Sequence, residues 1–513
     1  MMYSRSSPGP RRVGFSYPVS IALICLGLVL GAVLSYLYLP GTAAPTPAIP
    51  LSVGGDVATP LRIRGLDPQD YTVDGIRAGE RGFRATPLAE LLARAGPWSE
   101  DFRALFVVDD GTKVAIPADE LSGLHVGHDD AGLWALIDTR NRPVVTIPDL
   151  REMAVVSTGD PGGRGLAILD RDANLVESSP GALFERGFRV RPLPIEDCPG
   201  DTAGETIPRT GTARRVRTVA LEDWIGTAPG EEIVVVGRDG SIQGSSGAGH
   251  FLLEENRVSY CVGDGEAAFP VRGLILDPPE RRITDVFFDA RDALDRGDRV
   301  LIVLLDGLGY HQFFRAADAG RAPFLSGLAA PDMALAAYPP ITPVNLAAAI
   351  TGADPSQTGI RDRDTRRSHR PSIFAAAEEM GHRSTLVTGP ISPLDLEIVP
   401  ALNVDRNGDG STDDEVLRAA LDRIDAGYGL LMVHLKDVDR AGHSFGPDAP
   451  ETLDAIERSD GYIRALVAAW SGPVIVFSDH GMHETSEGGY HGQFRVEDMM
   501  IPYWTIDGGI HNE

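Results

Sequence analysis

Three continuous apolar runs that each end in aspartate constrain the fold of this chain more than any other feature. They are RVLIVLLD at 299–306, GLLMVHLKD at 429–437 and GPVIVFSD at 472–479. A run without polar alternation is buried on both faces, as parallel strands are between layers of helices. A helix-like pattern at 413–424, with a predicted Thr412/Glu415 capping box, lies between two of the runs. We therefore expect 293–513 to form an α/β/α sandwich with a mostly parallel central sheet.

Acidic and imidazole side chains follow these runs, at the edge where a parallel sheet binds its ligands. Packing several carboxylates together is costly unless cations neutralise them, and a mixed Asp/His set suits Zn²⁺ better than Mg²⁺ or Ca²⁺. Any one of these histidines alone is more often structural, so it is their joint placement that indicates a metal site. The candidate ligands are Asp306, Asp439, His443, Asp479, His480 and His491.

Thr342 is the candidate nucleophile. In PPITPVNLAAAITG it is the predicted N-cap of a helix that has Pro343 in its first turn and stops at Gly352. A hydroxyl beside a metal at a helix N-terminus can lose its proton, and the free N–H groups there favour a phosphate. The alternative interpretation is that Thr342 is only a cap.

These motifs resemble the alkaline phosphatase superfamily, and most closely its type I phosphodiesterase/nucleotide pyrophosphatase branch, over residues 299–513. The similar segments are LLDGLG at 304–309, Thr342-x-x-Asn345 with DPSQTGI at 354–360, DRAGHSFGP at 439–447 and SDHGM at 478–482. The resemblance implies a phosphoric-ester hydrolase with two Zn²⁺ ions, or with Mn²⁺ or another divalent metal. It implies Asp306, Thr342, Asp479 and His480 around one ion, and Asp439, His443 and His491 around the other. Thr342 would form a phospho-threonine intermediate that is then hydrolysed.

Two departures from the family pattern bear on the substrate. Only 11 residues separate His480 from His491, which argues against the nucleotide-binding insertion of that branch and is similar to phosphoethanolamine transferases and phosphonoacetate-hydrolase-like relatives. Arg363 stands where the branch has a phosphate-contacting asparagine, and a guanidinium can bind a doubly charged phosphate through two hydrogen bonds. Asn345 and Arg363 are the predicted substrate-binding residues, with a solvated arginine-rich loop as the equal alternative for Arg363.

The N-terminal part predicts a membrane anchor. Residues 17–39 include more than 20 consecutive residues without a charge, enough to cross a bilayer. Three arginines precede this segment and none follows before Arg62, so the tail 1–16 is expected in the cytoplasm and the body outside, in the periplasm or extracellular space. A Pro-rich linker, 40–52, follows, and cleavage of the N-terminal segment remains an alternative to anchoring.

The middle of the chain reads as an α+β module at 53–158 and a second β-rich module at 159–292. Stretches beginning at Ala85 and Arg217 are faintly alike, since each runs from a helix-like segment through an acidic turn to an apolar strand and Asp-Gly. They are either a duplicated module or a chance match. Cys198 and Cys261 either pair or remain thiols.

Charge limits the class of partner. Asp and Glu number 73 against 47 Lys and Arg, a net charge of -26, and such a chain lacks the basic surface that a nucleic-acid polymer requires. We expect a small phosphoester substrate and a membrane-anchored, phosphodiesterase-type hydrolase. The alternatives are a phosphomonoesterase, a phosphoethanolamine-type transferase acting on envelope lipids or glycans, and a non-catalytic envelope sensor; a protein partner is not identified.

Overall fold

The computed structural model describes residues 47, 49–66, 73–78, 81–140, 144–159, 164–194, 213–226, 230, 232–246, 249–262 and 269–507. The predicted cytoplasmic tail, the predicted transmembrane segment 17–39, most of the linker and Cys198 lie outside these residues. In the part of the chain that is described, no helix is both long and apolar enough to cross a bilayer.

Residues 51–276 form mainly antiparallel sheets with short helices between strands. The first part contains β1 Leu51–Gly55, β2 Leu61–Ile63, β3 Val73–Ala78, β4 Arg81–Pro87, α1 Leu88–Ala95, β5 Phe102–Val108, β6 Lys113–Pro117, β7 Leu124–Asp129, β8 Trp134–Asp138, β9 Val145–Pro148 and β10 Leu150–Ser157. The second contains β11 Leu166–Asp170, β12 Ala173–Ser178, β13 Arg189–Pro194, β14 Ala213–Ala220, α2 Leu221–Ile225, β15 Glu232–Gly237, β16 Ile242–Ser246, β17 Gly249–Glu254, β18 Arg257–Val262 and β19 Phe269–Leu276. Short 3₁₀ helices occupy Ala118–Glu120 and Pro180–Glu185.

The two parts share one pairing scheme. The order β2-β1-β10-β5-β6 in the first matches β12-β11-β19-β15-β16 in the second, and β3-β4-β7-β8 matches β13-β14-β17-β18. The directions match too, because β1–β10 and β11–β19 are parallel while the other equivalent pairs are antiparallel. A duplicated module requires this equivalence of order and direction.

Residues 281–506 form the expected α/β sandwich. Its strands are β20 Arg281–Arg282, β21 Val300–Leu305, β22 Asp332–Leu335, β23 Ser384–Thr388, β24 Ala401–Leu402, β25 Leu430–Leu435, β26 Val474–Ser478, β27 His483–Thr485, β28 Gly488–Tyr490 and β29 Met500–Ile506. Its helices are α3 Asp285–Asp295, α4 Tyr310–Asp318, α5 Pro323–Ser326, α6 Thr342–Thr351, α7 Pro355–Thr358, α8 Ile373–Glu379, α9 Asp413–Asp425, α10 Asp437–Phe445, α11 Pro450–Ala469 and α12 Val496–Met499.

The central sheet has the order β20-β22-β29-β26-β21-β25-β23-β24. The pairs from β26 to β24 are all parallel, and β29 is antiparallel to both of its neighbours. Alternate residues of β21 enter different apolar clusters, one shared with α3, α6 and α8 and the other with α4, α9 and α11. Because successive side chains of a strand point to opposite faces, helices cover the sheet on both sides.

The predicted capping box of α9 is wrong. Thr412 precedes the helix but makes no side-chain capping hydrogen bond. The Glu415 carboxylate instead accepts the backbone N–H of Arg406 at 3.2 Å. The loop before the helix therefore takes the place of the N-cap residue as the partner of Glu415.

The sheet of the second module packs directly on the sandwich. Ala167, Val234 and Ile275 share an apolar cluster with Phe494 and Met499. Polar contacts flank that cluster, since the Asn174 amide donates to Glu497 and accepts the backbone N–H of Val496, each at 2.9 Å. The second module therefore holds the segment that follows the predicted ligand His491.

Candidate active site

The predicted ligands converge because three neighbouring parallel strands end at one edge of the sheet. β26, β21 and β25 lie side by side. Asp306 directly follows β21, and Asp479 and His480 directly follow β26. α10 begins two residues after β25 and carries Asp439 and His443. The carboxyl ends of the strands thus deliver side chains from distant parts of the chain to one place.

The short hairpin β27–β28 returns the chain to this edge and delivers His491. In His443, His480 and His491 the ring nitrogen Nδ1 forms a hydrogen bond with a backbone carbonyl. Because a carbonyl oxygen can only accept a hydrogen bond, Nδ1 carries the proton. In the neutral ring Nε2 is then left with its lone pair, as in histidines that bind metals. The N···O pairs are His443–Gly489 at 3.0 Å, His480–Gly481 at 3.1 Å and His491–Pro340 at 2.9 Å.

Three carboxylates lie among these rings in a buried environment. Burial is the main cause, and the charge of Asp479 the next, that raises the pKa of Asp306 to about 7. Burial and the charge of Asp439 raise the pKa of Asp479 to about 7, and burial and the charge of Asp306 raise the pKa of Asp439 to about 6. The carboxylates therefore destabilise one another when no cation lies between them.

Two groups of side chains have ligand atoms within 4.8 Å of one another: Asp306, Asp479 and His480, and Asp439, His480 and His491. Buried oxygens of Asp439 (Oδ1) and Asp479 (Oδ2) have no hydrogen-bond partner among the described residues. Orphaned carboxylate oxygens facing imidazole lone pairs fit divalent cations with mixed N/O ligands.

The grouping differs from the predicted one in two respects. His480 belongs to both groups, whereas the family resemblance implied that it belongs to the Asp306 group alone. Its ring stacks on that of His491 with centroids 3.6 Å apart, which places it between the two sets of carboxylates. His443 belongs to neither group, although its Nε2 lies 3.4 Å from Asp439 Oδ1.

Thr342 presents its hydroxyl to this cluster. Its Oγ lies 3.2 Å from Nε2 of His480 and 3.4 Å from Oδ1 of Asp306. α6 begins at Thr342 itself, Ile341 is the residue at the N-cap position, and no side chain caps the helix. The expectation that Thr342 is the N-cap is therefore wrong by one residue, and its hydroxyl is free of a capping role.

The structure gives Asn345 a different role from the predicted contact with substrate. Its side chain is fully buried. The amide oxygen accepts the N–H of Ala337 at 2.7 Å, and the amide nitrogen donates to the carbonyls of Ala337, Pro339 and Ile341 at 3.2–3.4 Å. Asn345 thus fixes the segment that leads into Thr342, out of reach of a substrate.

His434 supports the site although it was not among the residues predicted from the sequence. It is fully buried within β25, with Nε2 2.8 Å from Oδ2 of Asp306 and Nδ1 3.2 Å from the Thr388 hydroxyl. Burial and the nearby charge of Lys436 lower the pKa of His434 well below its usual value, so the ring is neutral. Because an ionised carboxylate only accepts, Nε2 donates its proton to Asp306. The only available signal was a histidine inside an otherwise apolar run.

A cavity of about 470 Å³ opens beside the cluster. Asp306, Thr342 and Asp439 form part of its wall, and Arg363, Lys436 and Arg440 add positive charge. Arg363 is exposed, and its Nη2 lies 3.4 Å from Nε2 of His491. Pro390, Ile391 and Pro393 form an apolar section. Lys436, one of two lysines in the chain, is a site residue that the sequence analysis missed.

Residues 300–502, about two fifths of the chain, match the family model for type I phosphodiesterase / nucleotide pyrophosphatase. The match confirms the predicted resemblance to this branch of the alkaline phosphatase superfamily. The description of that family, phosphodiesterase and pyrophosphatase, agrees with the enzyme class predicted from the sequence. None of the curated proteins matches the chain.

Solved structures resemble the chain at low identity. Murine ectonucleotide pyrophosphatase / phosphodiesterase 5 is 18% identical with a TM-score of 0.32, over 37% of this chain and 59% of that one. Phosphonoacetate hydrolase from Sinorhizobium meliloti, in complex with phosphonoacetate, is 17% identical with a TM-score of 0.29, over 44% and 60%. The C-terminal periplasmic domain of EcEptC from Escherichia coli, in complex with Zn, is 15% identical with a TM-score of 0.31, over 41% and 73%. The chain spans about three fifths of the length of the first two.

Proposed function

We propose that residues 293–513 are a two-metal phosphoric-ester hydrolase of the phosphodiesterase type with Thr342 as nucleophile. The observation that carries the proposal is the position of the Thr342 hydroxyl. It lies at the start of α6, uncapped, 3.2 Å from a histidine nitrogen and 3.4 Å from a carboxylate oxygen. A threonine with only a structural role would spend this hydroxyl on the backbone of its own helix.

The residues that would hold the metals are Asp306, Thr342, Asp479 and His480 for one ion, and Asp439, His443 and His491 for the other, with His480 close to both. Zn²⁺ fits this donor set best, and Mn²⁺ or another divalent ion is the alternative. When bound, such ions neutralise the carboxylates, polarise the phosphoryl group and lower the pKa of the threonine hydroxyl.

The remaining chemistry belongs to the side chains. Thr342 Oγ attacks phosphorus and forms a phosphorus–oxygen ester bond, while the bond to the leaving alcohol breaks and that oxygen takes up a proton. The proton of the Thr342 hydroxyl passes to water, and water supplies the proton that the leaving oxygen takes up. Water then attacks the phospho-threonine, which releases the phosphorylated product and restores Thr342. The N–H groups at the start of α6 and the guanidinium of Arg363 hold the non-bridging oxygens.

The test is turnover of bis-p-nitrophenyl phosphate by the full chain, with and without a chelator. We expect loss of turnover on chelation, recovery with Zn²⁺, and a decrease of about 10³-fold or more in Thr342→Ala. Thr351→Ala is the matched control, because it makes the same change at the other end of α6, where the hydroxyl donates to Ala347 at 2.7 Å; it should stay within a few-fold of the parent.

Two results would overturn the mechanism: chelator-insensitive turnover, or full activity in Thr342→Ala. No turnover of any ester by protein that holds zinc would favour the non-catalytic sensor or the phosphoethanolamine-type transferase.

A phosphomonoesterase is the second candidate, because Arg363, Lys436 and Arg440 place positive charge on the cavity wall. A doubly charged monoester gains more from such charges than a diester does. Under this alternative Arg363→Asn should raise the ratio of diester to monoester turnover about tenfold, and Arg361→Asn, an exposed neighbour in the same loop, should not. An unchanged ratio in Arg363→Asn counts against the monoester.

We also propose that the body is exported and tethered by residues 17–39, supported by their uncharged apolar sequence and the arginines before them. In a Gram-negative host the full chain should sediment with membranes, and a chain lacking residues 1–44 and supplied with a cleavable secretion signal should be released with the periplasm. Full-length protein in the soluble fraction would contradict tethering.

A further inference from the structure

A second cavity, of about 500 Å³, lies where the second module meets the sandwich. Its walls include Ser157, Ser178 and Arg272 from the modules, and Tyr338 and Gln493 from the sandwich. It has no lining residue in common with the cavity lined by Asp306, Thr342 and Asp439. The two are therefore separate spaces.

Arg272 is the charged group of this cavity. It is 6% exposed. Its Nε donates to the Tyr338 hydroxyl at 2.9 Å and its Nη1 to the Gly165 carbonyl at 2.8 Å, while its guanidinium lies over the rings of Tyr338 and Phe494 at 5.3 and 5.4 Å. Its remaining nitrogen, Nη2, has no hydrogen-bond partner among the described residues. The guanidinium is thus held rigidly with one donor group still free.

Two further guanidinium groups, those of Arg238 and Arg164, add positive charge near Arg272, and the buried carboxylate of Asp56 offsets part of it. Burial, followed by the charges of Arg272 and Arg164, lowers the pKa of Arg238, while Tyr338 and Asp56 act in the opposite direction. Within the described part of the chain, neither Arg272 nor Arg238 forms an ion pair. Glu177, a carboxylate on the cavity wall, is exposed and does not pair with Arg272. A buried cation normally has an anionic partner, because desolvation without one is costly.

Neutral hydrogen-bonding groups complete the walls. Ser157, Thr158, Ser178 and Ser179 line the cavity, together with Gln493. The hydroxyl groups of Ser157 and Ser179 are buried beside the carboxylate of Asp56, which also accepts the backbone N–H groups of Ser157 and Gly181. Hydroxyl, amide and guanidinium donors around one space suit a small polar molecule with an anionic group, and a volume of about 500 Å³ lies within the usual range of ligand pockets.

We propose that this cavity binds a small anionic ligand, a phosphate or carboxylate compound, with its charged group on Arg272 and separate from the catalytic centre. The bound ligand would contact Tyr338, four residues before Thr342, and Gly492 and Gln493, which directly follow His491. Binding of the ligand to the second module would thereby affect the two segments that position Thr342 and His491.

The experiment titrates inorganic phosphate and, separately, succinate into the full chain by calorimetry, before and after chelator treatment. We expect a binding event for one or both anions that survives chelation and is kept in Arg363→Asn. Arg272→Gln should weaken it at least tenfold. The anion that binds more tightly identifies the ligand as phosphate-type or carboxylate-type.

Arg272→Gln also removes the hydrogen bonds to Tyr338 and Gly165. If that variant fails to fold, a second variant tests the proposal. Ser178→Trp fills the cavity and leaves Arg272 in place, and it should abolish the same event. Ser326→Trp, on the exposed helix α5, is its matched control and should keep it. Absence of any chelator-resistant binding, or equal binding by Ser178→Trp and the parent chain, would overturn the proposal.

Discussion

At the scale of single residues, the site depends on which atom of each side chain is left free. His443, His480 and His491 each spend Nδ1 on a backbone carbonyl, so each ring turns Nε2 toward the carboxylates. The burial that orients these rings also raises the pKa of the aspartates. The free protein therefore carries an electrostatic cost that a bound cation removes.

His434 is the residue whose replacement tests this arrangement without changing a predicted ligand. We expect His434→Ala to weaken Zn²⁺ binding about 10–100-fold, because Asp306 loses the donor that orients it, and His434→Gln to restore part of that affinity. Competition with a chromophoric chelator measures the effect. Thr388→Val removes the other hydrogen bond of the ring and should have the smaller effect; zinc affinity unchanged in His434→Ala would show that Asp306 needs no support.

Because of these carboxylates, we expect a bound metal to stabilise the folded protein more as the pH increases. The pKa of Asp306 and Asp479 is raised to about 7 and that of Asp439 to about 6. A carboxyl whose pKa rises on folding contributes stability that is complete below its unfolded pKa and is lost as the pH increases through the folded one. The chelator-treated protein should therefore lose stability between about pH 4 and pH 7, and Zn²⁺ should restore it.

Thermal unfolding with Zn²⁺ or with chelator measures this at two pH values. The difference in Tm between the two conditions should be larger near pH 7.5 than near pH 5, by about 5 °C or more. A difference that is the same at both pH values would mean that the three carboxylates are not the groups that the metal neutralises.

At the scale of elements, the start of α6 decides whether Thr342 is available. Thr342 occupies the first helical position with its hydroxyl toward Asp306, and Asn345 ties the preceding segment down from within the same helix. Gly352 ends the helix at φ 64°, where an added Cβ would lie 2.8 Å from the ring of Phe287. Both ends of the helix are therefore fixed by contacts outside its own hydrogen-bond ladder.

Asn345→Ala tests the first of these contacts. We expect it to lower the free energy of unfolding by about 2–4 kcal/mol, because the buried N–H of Ala337 loses its acceptor and a cavity remains. Turnover should fall as well, because the segment before Thr342 loosens, while bound zinc stays unchanged. Denaturant unfolding and metal analysis measure both. Thr351→Ala, which loses one hydrogen bond, should cost about 1 kcal/mol; a loss of zinc in Asn345→Ala would contradict a purely scaffolding role.

At the scale of the whole molecule, the two modules bring their last sheet against the chain that follows His491. Gly273 of β19 permits this approach, because an added Cβ would lie 2.4 Å from a ring carbon of Phe494 and 2.5 Å from the Ala167 carbonyl. The acidic surface of the chain, with a net charge of -26, coexists with local positive charge at Arg363, Lys436 and Arg272. Net charge therefore argues against a nucleic-acid polymer as a ligand but not against a small phosphoester.

Gly273→Ala tests whether this docking matters for the site. We expect a loss of about 1–3 kcal/mol in stability, because the methyl group overpacks the interface, together with reduced kcat because Phe494 lies three residues after His491. Gly244→Ala on β16 is the matched control, since nothing lies within 4 Å of its added Cβ. If Gly273→Ala unfolds at the parent temperature with parent kcat, the second module does not position the catalytic segment.

The sequence by itself determined the sandwich and predicted the edge of its sheet at which the candidate metal ligands lie. Strands β21, β25 and β26 leave an uninterrupted apolar signature because both of their faces are buried, and the residues after them must lie at one edge of a parallel sheet. Thr342 was also identifiable, from its place before a proline and an apolar helix.

Tertiary structure decided the rest. The order β26-β21-β25, the position of His480 between both sets of carboxylates and the contact of His434 with Asp306 depend on groups more than 100 residues apart. Local patterns could not show that Asn345 faces inward, that Glu415 binds Arg406 instead of forming a capping box, or that Arg272 lies beside Tyr338. Periodicity reports which face of an element is buried, whereas the partner on that face is chosen by the packing of the whole chain.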